Sequence, residues 1–276
     1  MNKVSISTGC LPRLEGRQFY ELESVLRMIR RLLKESRVDG FEFVLLPEWD
    51  SDGPPLTPSS APPDCEKHAI DDLARTLKAQ GFPIVSVHAN RDIGNYLCSD
   101  DVDKASRGIK LTDECLSFTK AVGSKICVFH FWDTWKLTFN LVGLEAICRR
   151  FQTTYPDIEL SIENVPTRYV GKTPFQIMQG FRHKTLDLKW ASMYDEFNAF
   201  AGHFTDVSNI HVQGKLQAGG LVPTVGCLDF EDAIATAKRK NYSGPFTIEL
   251  EGEASYRVAL NYVSRLKSHV SWKAPF

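Results

Sequence analysis

The chain has 276 residues, of which 43% are hydrophobic and 24% charged, and its formal net charge at pH 7 is −1. This composition is typical of a globular protein that buries one large core or two modest ones. Lys and Arg number 33 against 34 Asp and Glu, so the charge balance lacks the excess of positive charge that nucleic-acid binding uses. We therefore expect no nucleic-acid partner.

The sequence also argues against a membrane protein and against a disulfide scaffold. The N-terminal stretch MNKVSISTGCLPRLEG has no apolar signal region, and no apolar run reaches the roughly 18 residues that a membrane span needs. We therefore expect a cytoplasmic protein. The seven cysteines are scattered and never spaced as CxxC, which disfavours a disulfide framework or a zinc ribbon. We assign no catalytic role to any of them.

Eight strand-like runs follow one another along the chain, each with an amphipathic helical pattern after it or room for one. The predicted strands are 3–9, 40–47, 83–89, 125–132, 158–165, 185–190, 208–214 and 245–252. Helical patterns are predicted at 19–33, 66–80, 100–122, 136–154, 229–240 and 254–269. The helices after the fifth and sixth strands are predicted to be short.

Eight alternations of strand and helix predict a single-domain (β/α)8 barrel over residues 1–276, because parallel strands need crossover helices. A doubly wound open sheet is the alternative, but its first turn is usually a GxGxxG loop, which STGCLPRLEG lacks. The segment 50–64, DSDGPPLTPSSAPPD, is rich in Pro and Ser. It is predicted to be an irregular loop, either part of a lid or a solvated connection.

Alternation along the strands separates apolar from polar side chains. In the fifth strand, Ile158, Leu160 and Ile162 share one face, and Glu159, Ser161 and Glu163 share the other. If the apolar faces pack on helices, the polar faces meet inside the barrel. The ionisable residues collected there are Glu42, His88, His130, Glu163, Asp187, Lys189, His211, Glu249 and Glu251. So many ionisable groups require partners when they are buried.

Four of these residues come from four consecutive strands: Glu163, Asp187, His211 and Glu249. Carboxylates and an imidazole that converge in this way suit one divalent ion, Mn, Mg, Co or Zn. The alternative for any one carboxylate is an ion pair with Lys189. His88 and His130 are candidates for substrate contacts or polar core positions as well as for metal ligands. Glu42 and Glu48 are left outside the predicted site.

Several motifs lie on the last four strands. They are SIENVP, LDLKW, NIHVQGK followed by LVPTVGCLDF, and FTIELEGE. With them the whole chain resembles the xylose isomerase-like barrel superfamily, which contains sugar isomerases and epimerases, inosose dehydratases and endonuclease IV. The resemblance to the epimerases implies that Glu163, Asp187, His211 and Glu249 bind one metal ion, and that Glu163 and Glu249 are the catalytic acid and base.

Three departures from the family pattern bear on function. Trp190 stands where a His usually follows the sixth-strand Asp, and the segment after His211 lacks the Asp-x-His pair of endonuclease IV. The usual PGxG loop reads PTVG, Pro223 to Gly226. These differences disfavour DNA repair and favour a single-metal site over a metal cluster.

The resemblance implies a metal-dependent isomerase or epimerase that acts on a small keto-sugar or hydroxy-ketone through an enediolate. The predicted substrate-binding residues are His88, His130, Lys189, Trp132 and Glu251. An inosose-type dehydratase and a metabolite-binding barrel without catalysis are the alternatives. Barrels of this kind often pair into homo-oligomers, but the sequence identifies no interface.

Overall fold

A computed structural model of the protein describes residues 2–35, 38–217, 220–222, 230–251 and 256–270. The chain divides into two compact units. Unit 1 comprises Met1–Glu42 and Thr185–Phe276, and unit 2 comprises Phe43–Lys184. The predicted single domain over 1–276 stays a prediction.

Strands and helices alternate along both units. The strands are β1 (Val4–Ser7), β2 (Gly40–Val44), β3 (Ile84–His88), β4 (Ile126–Phe129), β5 (Glu159–Glu163), β6 (His183–Asp187), β7 (Val207–Gln217), β8 (Gly220–Val222) and β9 (Phe246–Glu251). The helices are α1 (Leu22–Lys34), α2 (Ile70–Gln80), α3 (Ile93–Leu97), α4 (Val102–Ala121), α5 (Leu141–Thr154), α6 (Pro174–Met178), α7 (Leu188–Met193), α8 (Phe197–Ala201), α9 (Phe230–Arg239) and α10 (Tyr256–Val270). Among the helices described, none is long and apolar enough to cross a bilayer.

In unit 1, parallel pairing aligns β2, β1, β9 and β7. Ser7 is opposite Glu42 on β2, and Ser5 is opposite Thr247 on β9. Thr247 is in turn opposite His211 on β7. The apolar residues of these strands, including Ile6, Val212 and Ile248, are almost fully buried. The register therefore brings polar side chains from distant parts of the sequence to the same level of the sheet.

In unit 2, β3 is parallel to β4 and β4 is parallel to β5. His88 is opposite Val128, which is itself opposite Ser161. Helix α3 packs very closely on the chain that leaves β4, because a Cβ atom added to Gly94 would lie 2.5 Å from the carbonyl oxygen of Trp132. This close approach restrains the backbone of Trp132 in the segment that follows β4.

The structure confirms most of the predicted elements, but the sixth and seventh strands differ from the prediction. The helices after β5 and β6 are short, as predicted, with α6 spanning five residues and α7 six. The sixth strand, predicted to run to residue 190, ends at Asp187, because the Asp187 side chain accepts a hydrogen bond from the backbone N–H of Trp190 and caps α7. Strand β7 continues to Gln217 and pairs antiparallel with β8, which the sequence did not predict.

Candidate active site

Three predicted site residues of unit 2 meet at the carboxyl ends of consecutive strands. His88 is the last residue of β3, Glu163 is the last residue of β5, and His130 follows β4 directly. Nε2 of His130 lies 3.0 Å from Oε2 of Glu163, and Nε2 of His88 lies 3.3 Å from the same oxygen. The two imidazole rings are 4.9 Å apart and nearly perpendicular. Glu163 is buried, whereas the side chain of His130 is 29% exposed.

The hydrogen bonds of His88 limit which tautomer it adopts. Nδ1 lies 2.9 Å from the carbonyl oxygen of Ala89. A carbonyl oxygen only accepts, so Nδ1 carries the hydrogen. In the neutral ring, Nε2 then has a lone pair directed at a carboxylate oxygen. That contact is favourable only when a second proton or a cation is shared with Glu163.

A second cluster lies in unit 1 and includes two of the predicted metal ligands. Nδ1 of His211 lies 3.6 Å from Oε1 of Glu249, and Nε2 of His211 lies 3.2 Å from Oε2 of Glu42. His211 and Glu42 are fully buried, and the Glu249 side chain is 19% exposed. Glu42 lies outside the predicted site, yet its carboxylate contacts the predicted ligand His211.

Asp187 and Lys189 occupy different environments. Asp187 is fully buried and ends β6. Lys189 was placed by alternation on the interior face of the sixth strand, and this placement is wrong, because it lies in α7 with its ammonium 4.3 Å from the Trp190 ring centroid. The helix begins directly after Asp187, so the period of two ends there.

Two further predicted substrate contacts have different outcomes. Trp132 is 1% exposed, and its Nε1 donates a hydrogen bond to the carbonyl oxygen of Pro166 at 3.1 Å. Trp132 therefore packs between two loops, and its predicted substrate contact stays a prediction. The side chain of Glu251 and the loop from Pro223 to Gly226 lie outside the described residues.

The Pro-rich segment 50–64 is held by three charged residues that sequence reasoning did not assign. Asp92 accepts hydrogen bonds from the backbone N–H of Leu56 at 2.7 Å and from the Thr57 hydroxyl at 2.8 Å. Glu48 accepts a hydrogen bond from Ser59 and pairs with Arg91. The segment is irregular, as predicted, and these bonds attach it to the residues that follow β2 and β3.

Both clusters have donor sets that suit a divalent ion. In the first, His88, His130 and Glu163 each offer a ligand atom within 4.8 Å of the other two, and the same holds for Glu42, His211 and Glu249 in the second. Imidazole nitrogen combined with carboxylate oxygen is a common set for Zn, Mn and Co. Three residues of the predicted ligand set, Glu163, His211 and Glu249, therefore lie in clusters whose donor atoms fit a divalent ion.

Comparison with known proteins identifies the fold. The sequence model of the xylose isomerase-like TIM barrel family matches residues 31–266. No curated protein matches the sequence.

Solved structures agree on the fold. The chain is similar to 3-keto-D-glucoside 4-epimerase from E. coli, with 16% identity, a TM-score of 0.61, and coverage of 98% of this chain and 99% of the other. It is similar to D-allulose 3-epimerase from Methylomonas sp., with 14% identity, a TM-score of 0.65, and coverage of 98% and 89%. An AP endonuclease of family 2 from Brucella melitensis matches with 14% identity, a TM-score of 0.60, and coverage of 92% and 95%. The predicted (β/α)8 barrel class is confirmed.

Proposed function

Because the chain belongs to the xylose isomerase-like TIM barrel family, we propose that it is an isomerase or epimerase of a small keto-sugar or hydroxy-ketone. The proposed reaction is proton transfer at the carbon next to a carbonyl group, through an enediolate. The solved structures similar to it include L-ribulose 3-epimerase and D-allulose 3-epimerase, and this similarity supports a carbohydrate substrate. We propose a cytoplasmic location, in keeping with the absence of a membrane-spanning helix among the described residues.

The observation that carries this proposal is that both predicted acid–base carboxylates lie against imidazoles. Glu163 contacts His88 and His130, and Glu249 contacts His211. A buried carboxylate that is held by hydrogen-bonding or cationic neighbours has a fixed orientation, which proton transfer requires.

We further propose that one divalent ion is bound by Glu163, Asp187, His211 and Glu249. Each of these residues lies on one of the last four parallel strands of the predicted barrel, and catalytic residues of such barrels lie at the carboxyl ends of the strands. A bound ion would supply Lewis-acid polarisation of two neighbouring substrate oxygens. Elemental analysis of the purified protein decides whether the ion is Mn, Mg, Co or Zn.

The side chains of the protein transfer the protons and orient the substrate. Glu163 removes the carbon-bound proton, while the imidazole of His130, which is partly exposed, is placed to hydrogen-bond a substrate hydroxyl. If Glu249 returns a proton to the opposite face of the carbon, the product is an epimer. If Glu163 returns it to the adjacent carbon, the product is an isomer.

Elemental analysis of purified protein tests the metal site directly. We expect about one divalent ion per chain after loading with Mn or Zn and desalting, and loss of that ion in Asp187→Asn. Two ions per chain would indicate that the His88, His130 and Glu163 cluster binds an ion of its own. No bound metal in the wild type would contradict the proposed site and favour a metabolite-binding barrel.

Activity on a panel of keto-sugars tests the acid–base roles. Glu163→Gln and Glu249→Gln are each expected to lower kcat at least a hundredfold with the fold intact, since a general base contributes roughly 10²–10⁴ in rate. Glu159→Gln is the matched control, because Glu159 begins the same strand and its side chain is 44% exposed. Full activity in either site variant would refute its role, and loss of water from the product would show a dehydratase.

A further inference from the structure

Glu42 contacts a predicted metal ligand without belonging to the predicted ligand set. We propose that Glu42 is a positioning residue, which holds the Nε2–H of His211 so that the Nδ1 lone pair of His211 is directed toward Glu249 and the metal ion. This inference rests on the proposed function, because it concerns the same ion. It gives a role to a residue that the strand pattern placed inside the barrel but that the predicted site did not include.

The packing around Glu42 supports this role. Its side chain is fully buried, as is that of His211, and the two residues are 169 positions apart in the sequence. Oε2 of Glu42 lies 3.2 Å from Nε2 of His211 and also accepts a hydrogen bond from Nδ2 of Asn209 at 3.0 Å. A metal-bound imidazole commonly donates its other N–H to a carboxylate, which fixes both the tautomer and the plane of the ring.

A chain of buried hydrogen bonds fixes the direction of each donor. An ionised carboxylate only accepts, so Asn209 must present its amide N–H to Glu42. The Oδ1 of Asn209 then accepts from the hydroxyl of Thr247 at 2.9 Å. Because that hydroxyl proton is used, Ser5 donates to Oγ1 of Thr247, also at 2.9 Å. The carboxylate of Glu42 is thus anchored from β1, β9 and β7.

The lone pairs of Oε2 explain why Glu42 orients the imidazole of His211 and does not bind the ion through this oxygen. One carboxylate oxygen has about two lone pairs. On Oε2 of Glu42, one accepts from Asn209 and the other faces Nε2 of His211. On the other side of the ring, Nδ1 lies 3.6 Å from the Glu249 carboxylate. Two acceptors at this distance attract each other only through a shared proton or cation, which favours the Nδ1 side of the ring for the proposed ion.

The register of the strands explains how Glu42 reaches this position. Strand β1 pairs with β2 on one side and with β9 on the other, and β9 pairs with β7. Ser5, Thr247 and His211 are therefore at one level of the sheet, and Glu42 lies two residues beyond the Ser5 level on β2. A side chain as long as Glu spans the remaining distance to the imidazole.

The first test is nitrogen-15 NMR of the histidine side chains in the full-length protein, with the His211 signals assigned by their loss in His211→Gln. We expect a protonated, slowly exchanging Nε2–H in the metal-free protein, and we expect added Zn²⁺ to shift the Nδ1 resonance while Nε2 keeps its hydrogen. Zn²⁺ bound at Nε2, with hydrogen on Nδ1, would overturn the proposal without any variant being made.

The second test compares metal affinities by competition with a chelator. Glu42→Gln keeps the size of the side chain and removes its charge, and we expect Zn²⁺ and Mn²⁺ to bind about 10–100-fold more weakly. Glu48→Gln is the matched control, since Glu48 is as deeply buried as Glu42 but pairs with Arg91 in unit 2. The affinity of Glu48→Gln for Zn²⁺ and Mn²⁺ is expected to stay within about threefold of the wild-type value. Wild-type affinity in Glu42→Gln would overturn the proposal.

A third variant covers the case in which Glu42→Gln does not fold. Thr247→Val keeps the shape of Thr247 and removes the donor to Asn209, and we expect a smaller loss of affinity with a shifted His211 Nε2–H resonance. An unchanged resonance and affinity would count against the chain of hydrogen bonds. Absence of metal binding in the wild type would refute the proposed function, whereas the Nε2–H signal of the metal-free protein still tests the orientation of His211 by Glu42.

Discussion

Glu48 illustrates how a single buried charge is stabilised in this protein. Its carboxylate is 1% exposed, pairs with the Arg91 guanidinium, and accepts a hydrogen bond from the Ser59 hydroxyl at 2.8 Å. Burial alone would raise the pKa of Glu48, but the hydrogen bond and positive charge of Arg91, with the Ser59 hydroxyl, outweigh burial and lower the pKa. The charged form is thus favoured in the folded state.

This lowered pKa predicts part of the acid sensitivity of the fold. A carboxylate whose folded pKa is depressed contributes stability that is fully present above its ordinary pKa of 4.5 and is lost as the pH falls through the folded value. Glu48→Gln is expected to lose about 1–3 kcal/mol of unfolding free energy near pH 7. The unfolding free energy of Glu48→Gln should also fall less than that of the wild type as the pH drops below 4.5. Urea denaturation of both proteins between pH 3 and pH 7 measures this, and parallel pH profiles would contradict it.

At the same scale, the site residues differ in how far the sequence could predict them. Glu163 and Glu249 follow from strict alternation along apolar strands, because alternate residues face the same side of a strand. Glu42 has the same alternation, but its partner His211 is 169 residues away. The sequence shows no register between β1, β2, β9 and β7, and that register decides which of the polar side chains meet.

At the scale of elements, the predicted sixth strand shows where periodicity stops being informative. LDLKW continues an alternating pattern, but Asp187 caps a helix through the Trp190 N–H at 2.9 Å. Asp is a favoured cap because its carboxylate satisfies a backbone donor that the helix leaves unpaired. A local side-chain bond therefore overrides the period of two, and Lys189 belongs to a helix.

Helix α3 provides a prediction about packing between elements. A Cβ on Gly94 would lie within 2.5–2.7 Å of three backbone atoms of Trp132, so one of the two segments would have to move. We expect Gly94→Ala to lose about 1–3 kcal/mol of unfolding free energy, as overpacked sites do. Gly53→Ala is the control, because its added Cβ would meet only the Tyr96 hydroxyl, at 3.8 Å. Equal denaturant midpoints for the two variants would refute the argument.

At the scale of the whole molecule, the cysteines report on how completely the chain is folded. The six cysteines among the described residues are free thiols, and five of them are buried: Cys10, Cys98, Cys115, Cys127 and Cys148. Burial raises the pKa of Cys10, Cys115 and Cys148 to about 12 and that of Cys98 to about 11. The thiolate is the reactive form, so these thiols are protected both by their protonation and by lack of access.

Counting reactive thiols under native and denaturing conditions tests this protection across both units at once. We expect at most two of the seven cysteines to react rapidly with a thiol reagent in the folded protein, and all seven in guanidinium chloride. Cys65 is only partly buried, so Cys65→Ser should remove one fast-reacting thiol and leave the slow ones unchanged. Three or more fast thiols in the folded wild type would mean that a buried segment opens readily, because a thiol of raised pKa reacts only after it reaches water.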